Sequence, residues 1–103
     1  MADKHEVNKG REVEFADGIV RRLRPLTIRQ LRKFVPLIED MSSTNATTMT
    51  DEDIDIMVKA SQIILMKVDK KLSEDEDAIE DAVDVEVFND MMEVAMGSSS
   101  PNG

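Results

Sequence analysis

The stretch VEFADGIVRRLRPLTIRQLRKF, residues 13–34, contains one change of hydrophobic period, and that change predicts the fold. REVEF and IVRRLR read as two strands around Ala16-Asp17-Gly18. An Asp-Gly between two β-rich runs is a strong hairpin signal. Two registers are open. A two-residue loop pairs Phe15 with Val20 and sets Ile19 and Leu23 on the face opposite Val13. A three-residue loop, with Gly18 left-handed, brings Val13, Phe15, Ile19 and Leu23 onto one face, and is favoured for that reason. Pro25 then ends the second strand, and Thr27-x-x-Gln30 has the form of a capping box that opens a helix. Ile28, Leu31, Val35 and Ile38 follow at helical spacing, flanked by Phe34 and Met41. Pro36 lacks the N–H that would bond to Arg32, which predicts a kink or an early stop.

Downstream the chain reads as helices. Residues 42–50 (SSTNATTMT) have loop composition and are a candidate for disorder. Thr50-x-x-Asp53 resembles a second helix start. That helix is expected to run to about Lys71, with Ile54, Met57, Val58, Ile64, Leu65, Val68 and Leu72 as its apolar face and Lys67, Lys70 and Lys71 near its C-terminus. Ser73-x-x-Glu76 reads as a further capping box opening a short acidic helix with Ile79 and Val83. Asp84 can cap a last helix from Val85 to Met96, closed by Gly97. The expectation is one α+β domain over 11–97, a hairpin followed by about four helices and mainly helical. Residues 1–10 and 98–103 read as flexible ends, although Val7 with Lys9-Gly10 could start a further strand.

Composition restricts the function. The 103 residues include 22 acids and 13 bases, a net charge of −9, with no Cys, no Trp and a single His. A domain of this size buries about two-thirds of its unfolded surface, and no disulfide can supplement its core. Excess acid argues against a general nucleic-acid binder. No apolar run approaches the ~20 residues needed to cross a bilayer, and MADKHEV lacks the apolar stretch of a signal peptide. A soluble, intracellular protein is the expectation. A Ser/His/acid triad would have to recruit His5 from the N-terminal end, and the four glycines are too scattered for a phosphate loop. Asp51, Asp53 and Asp55 have EF-hand spacing, but Ile56 stands where the turn needs Gly and Gln62 where the loop needs Glu. No enzyme, metal site or cofactor is expected.

Two surfaces remain. Residues 1–40 carry nine bases and seven acids, whereas 41–103 carry four bases and fifteen acids. Arg21, Arg22, Arg24, Arg29, Arg32 and Lys33 form a run without an intervening acid, while 73–96 holds ten acids and no base. The basic run could be a solvated hairpin edge and helix face, or it could dock electrostatically on the acidic segment, within one chain or between copies. The last helix has more apolar residues than one buried face uses. Phe88, Met91, Met92 and Met96 are therefore candidate partner-binding residues, against the alternative of a helix sandwiched between neighbours.

In layout the chain resembles the tail assembly chaperones of long-tailed bacteriophages. The resemblance spans about residues 11–97 and rests on the opening hairpin and helix, on DIDIMVKASQIILMKV, on the acidic connector LSEDEDAIEDAV and on the ending DVEVFNDMMEVAMG. It implies a chaperone that binds the tape measure protein and keeps it soluble while tail tube protein polymerises around it. It also implies a longer form of the same chain made by frameshifting near its end, with self-association among the copies. The expected place of action is the infected host's cytoplasm, not the mature virion, with no membrane or nucleic-acid partner. The competing expectation is an acidic decoy that inhibits a basic DNA-binding protein, motivated by the acids of 73–96.

Overall fold

The computed structural model describes residues 10–43 and 45–97. Strands β1 (Arg11–Glu14) and β2 (Val20–Leu23) form an antiparallel hairpin, followed by helices α1 (Ile28–Glu39), α2 (Asp51–Leu65), α3 (Lys70–Ser73), α4 (Glu76–Ala82) and α5 (Val85–Ala95). The chain is thus α+β and mainly helical. Val7, His5 and the two chain ends lie outside the described residues.

The hairpin takes the three-residue loop. Val13 stands opposite Arg21 and Glu14 opposite Val20, and Phe15 N–H donates to the Ile19 carbonyl at 3.0 Å. Gly18 has φ +85°, the left-handed geometry that this loop requires. Val13, Phe15 and Leu23 are buried as the favoured register predicts. Ile19, the residue next to the loop, departs from that expectation at 53% exposed.

Helix α2 is the central element, in contact with α1, α3, α4 and α5, and α5 in turn lies under both strands. Ala60 and Ser61 are fully buried on α2, and their small side chains let neighbouring helices approach closely. Around them the core includes Phe15, Leu23, Phe34, Leu65, Ile79, Phe88 and Met91, each at most 2% exposed. Backbone bonds close the seams: Ala16 N–H donates to the Ala82 carbonyl at the end of α4, and Leu26 N–H to Ala95 at the end of α5. These satisfy carbonyls that a helix end otherwise leaves unpaired.

Five details bear on these expectations. Of the two outcomes expected at Pro36, a kink or an early stop, the stop does not occur: helix α1 continues to Glu39, with Pro36 on its exposed side. Its buried face centres on Gln30 and Phe34, which places Ile28, two residues and about 200° from Gln30, at 75% exposed. The second long helix ends at Leu65 instead of Lys71. Asp69 turns away to cap α3, accepting from Leu72 N–H at 3.2 Å, and pairs with Arg21, so one expected helix becomes two. Ile54, at the exposed start of α2, is 41% accessible and contributes little to the expected apolar face. Finally, Asp75 and not Ser73 caps α4, while the Ser73 hydroxyl donates back to the Lys70 carbonyl at 2.7 Å. The caps at Thr27, Thr50 and Asp84 form as expected.

Gly10 and Gly18 both have positive φ but differ in surroundings. A Cβ on Gly10 would stand 1.6 Å from the Leu23 carbonyl oxygen, whereas one on Gly18 meets nothing within 4 Å. Gly18→Ala is therefore expected to cost about 1 kcal/mol from backbone conformation alone, and Gly10→Ala clearly more. Urea unfolding of the two variants checks this; equal costs, or the reverse order, would contradict it.

Candidate protein-docking groove

Two hydrogen-bonded corners set the geometry of α1 against α2. At one end, Gln30 donates from Nε2 to the Ile63 carbonyl at 3.1 Å, while its Oε1 accepts from Thr27 N–H at 3.0 Å. The same side chain thus completes the α1 capping box and reaches the C-terminal part of α2. At the other end, Asp53 accepts from Ser42 N–H and from the Ser42 hydroxyl, both at 2.8 Å, and from Thr50 N–H at 3.1 Å. The start of α1 therefore lies beside the end of α2, and the end of α1 beside the start of α2. The pair is antiparallel.

Asp53 is 1% exposed and remains charged because so many donors converge on it. The Ser42 backbone N–H is the largest influence, followed by the Ser42 hydroxyl and Thr50 N–H; together they outweigh burial and lower its pKa to about 2. Thr50 and Asp53 thus cap α2, as their spacing predicts, and the same carboxylate also holds the loop that leaves α1. Within that loop the Asn45 side chain accepts from Thr47 N–H at 3.0 Å and from the Thr47 hydroxyl at 2.8 Å.

Between the two helices runs an open groove of about 810 Å³. On α1 it is walled by Arg29, Arg32, Lys33, Pro36 and Leu37, positions i, i+3, i+4, i+7 and i+8. On α2 and just beyond, Lys59, Gln62, Ile63, Met66 and Lys67 repeat the same spacing. Each helix thus buries one face in the core and turns a second, mixed face to the groove. Leu37 and Ile63 are half-buried and Met66 is 49% exposed, so the floor is apolar and accessible. Five cations and one acid, Asp40, line it.

The expected electrostatic docking set divides into three. Arg29, Arg32 and Lys33 lie on this groove. Arg24 lines smaller clefts beside the hairpin. Arg21 and Arg22 serve the fold. Arg22 reaches Glu12 across the strands at 3.8 Å. Arg21 is 8% exposed, donates to Asp17 at 3.0 and 3.2 Å and to Asp69 at 3.0 Å, and lies 4.6 Å over the Phe15 ring. Burial opposes the Arg21 charge, but the two carboxylates outweigh it and its pKa is raised. The Asp17 carboxyl is held below its ordinary value chiefly by Arg21, and that of Asp69 chiefly by Leu72 N–H and then by Arg21. Within the chain, then, this basic run does not dock on the acids of 73–96. Among the described residues those acids meet a base only where Arg11 approaches Asp90 and Glu93, each at 3.5 Å.

The candidate partner residues of the last helix also separate. Phe88 and Met91 are fully buried and belong to the core, because 87, 88, 91, 94 and 95 form the inward face of α5. They cannot present a surface in this fold. Met92 is half-buried, and Met96, at 54% exposed, is the most accessible of the four. The groove residues that the sequence did not mark as a surface are Leu37, Lys59, Ile63, Met66 and Lys67, the last read only as a charge near a helix end. A signal for them existed in Lys59, Ile63 and Met66, which recur at helical spacing beside the main apolar stripe of α2.

Among the described residues no three His, Asp or Glu side chains are placed to hold a metal ion, and no helix is long and apolar enough to cross a membrane. Asp53, the middle member of the EF-hand-like spacing, points instead to Ser42 and Thr50. Comparison with family models, curated proteins and solved structures finds no match.

Asp53 supplies a pH signature. Its pKa is lower in the folded chain than the ordinary 3.8, so the folded state binds that proton less readily. The stabilisation it gives is present above about pH 4 and is lost as pH falls towards about 2. Asp53→Asn, which cannot accept all three bonds, should melt at lower temperature than the parent at pH 7, with the gap narrowing between pH 4 and pH 2. Thermal melts across that range that stayed parallel would contradict this account.

Proposed function

We propose that the chain is a non-enzymatic chaperone that binds an elongated helical client. The observation carrying this reading is the accessible apolar groove between α1 and α2. Grooves between helices accept amphipathic helices through aliphatic anchors, and Met66 supplies a side chain able to adapt to varied surfaces. A net charge of −9 would keep a coated client in solution.

The sequence resemblance gives this activity its setting. The client would be the tape measure protein of a long-tailed phage, held soluble in the host cytoplasm while tail tube protein assembles around it. A longer frameshifted form would share the domain, with the Met-Gly-Ser-Ser-Ser stretch after α5 as its junction. The half-exposed Met92 and exposed Met96 would lie next to whatever follows that junction.

A second reading is favoured by one observation. Glu74, Asp75, Glu76, Asp77, Glu80 and Asp81 are all exposed, a dense acidic surface around α4. A decoy that occupies a basic DNA-binding protein would use that surface and would release its partner readily at high salt.

Co-expression with the flanking tail genes and affinity capture separates the two. The chaperone reading expects a long helical protein or the tube protein to be retained, with part of the binding surviving about 0.5 M salt. It also expects a large reading frame downstream and a slippery codon run near the end of this gene. Capture of neither tail protein would overturn it, and salt-labile capture of a basic DNA-binding protein would favour the decoy.

A further inference from the structure

We infer that the α1–α2 groove receives an amphipathic helix whose apolar stripe is flanked by acidic side chains. This rests on the helical-client reading and adds the sign of the client's charge.

Charge reverses locally at this cleft. The chain carries −9 overall, yet Arg29, Arg32, Lys33, Lys59 and Lys67 face one cleft that contains a single acid, Asp40. Among the described residues none of these five has an ion-pair partner. Cations drawn from both walls around an apolar floor, outnumbering the single carboxylate of Asp40, form a complement for an acidic ligand, although Lys59 also borders Asp55, Glu76 and Glu80 on its other side. The acidic surface around α4 would repel such a ligand, and the smaller clefts beside the hairpin, which also carry Arg24 and Lys67, lack cations on two antiparallel helices.

The shape selects a helix among acidic ligands. The two walls are antiparallel helical faces with matching i, i+3, i+4, i+7, i+8 spacing, and α1 extends about 18 Å at 1.5 Å per residue. A third helix laid along them would place one apolar stripe on Leu37, Ile63 and Met66, with carboxylates on either side reaching the two rows of cations. Nucleic acid fits the charge but not the floor. It calls for aromatic platforms, and all three phenylalanines, Phe15, Phe34 and Phe88, are buried in the core. The acidic helix α4 of a second copy does not fit either, because its apolar side chains Ile79 and Ala82 are already buried in its own core.

The test uses the full chain and a fluorescent designed helix of about 18 residues, with Leu at i, i+3, i+4 and i+7 and Glu on both flanks. A twin peptide carries Lys in place of every Glu, and a labelled single-stranded oligonucleotide serves as a third probe. Anisotropy titrations should show the acidic peptide binding at least about tenfold more tightly than its twin, with affinity falling as salt rises. Arg32→Glu with Lys33→Glu, both at exposed positions, should weaken it by at least about tenfold. Met66→Glu should weaken it independently, through loss of the apolar floor, and circular dichroism verifies that each variant folds. Equal binding of the two peptides, no binding of either, indifference to both variants, or tighter binding of the oligonucleotide would each overturn the inference. Self-association that is lost in the Arg32→Glu/Lys33→Glu variant while the peptide fails to bind would assign the groove to a second copy and overturn it too. If a tail client is captured in cells but the groove variants still capture it fully, the chaperone reading survives and the groove assignment fails. If no client is captured while the acidic peptide binds as described, the groove assignment stands without that reading.

Discussion

Helix α1 is held to the rest of the molecule by α2, and two side chains fix how it lies there. Gln30 and Asp53 each complete a capping box on their own helix; Gln30 then reaches the Ile63 carbonyl of α2, and Asp53 reaches Ser42 in the loop that leaves α1. Capping ordinarily concerns one helix end; here the same side chains also tie the two helices together. With the corners held, Phe34 fills the core and the outer faces of both helices stay apart. The groove is what remains between two helices that are pinned at their ends and packed along only one side.

The hairpin is fastened by a different chemistry. Arg21 is buried, and a buried guanidinium is stable only when its donors are met. Asp17 from the turn and Asp69 from the α2–α3 junction meet them, with the Phe15 ring beneath. The contact ties the loop that shapes the hairpin to the residue that ends the long helix. It also removes Arg21 from the charge available to partners, leaving the exposed basic surface to Arg22 and Arg24 beside the hairpin and to residues of α1 and α2.

Much of this fold was legible in the sequence because it rests on local chemistry. Asp-Gly and Gly18 specified the turn, and Thr27, Thr50 and Asp84 marked three helix starts through their own side chains. The features that escaped depend on tertiary partners. Asp69 looked like one more residue of a long helix because Arg21 stands 48 positions away. Ser73 competed with Asp75 for the same cap, and only packing decides between them. Pro36 was legible as a defect but not its tolerance, which follows from its exposed position. The last helix offered more apolar side chains than one face uses, yet which of them turn inward is set by α2 and the hairpin together. Phe88 and Met91 therefore went to the core. The groove itself was half visible: Arg29, Arg32 and Lys33 stood out as a basic run, while Lys59 and Lys67 joined them only through the antiparallel pairing of α1 with α2.

The division of charge along the chain thereby takes a structural meaning. The acidic surface is densest around α4, while a cleft of opposite sign with an apolar floor lies between α1 and α2 and smaller basic clefts lie beside the hairpin. The most direct measurement of this account is backbone amide chemical-shift mapping of the full chain titrated with the acidic amphipathic peptide. The account predicts perturbations concentrated at residues 29–40 and 59–67, with α4 and α5 unmoved. Shifts centred on Met92 and Met96, or none at saturating peptide, would contradict it.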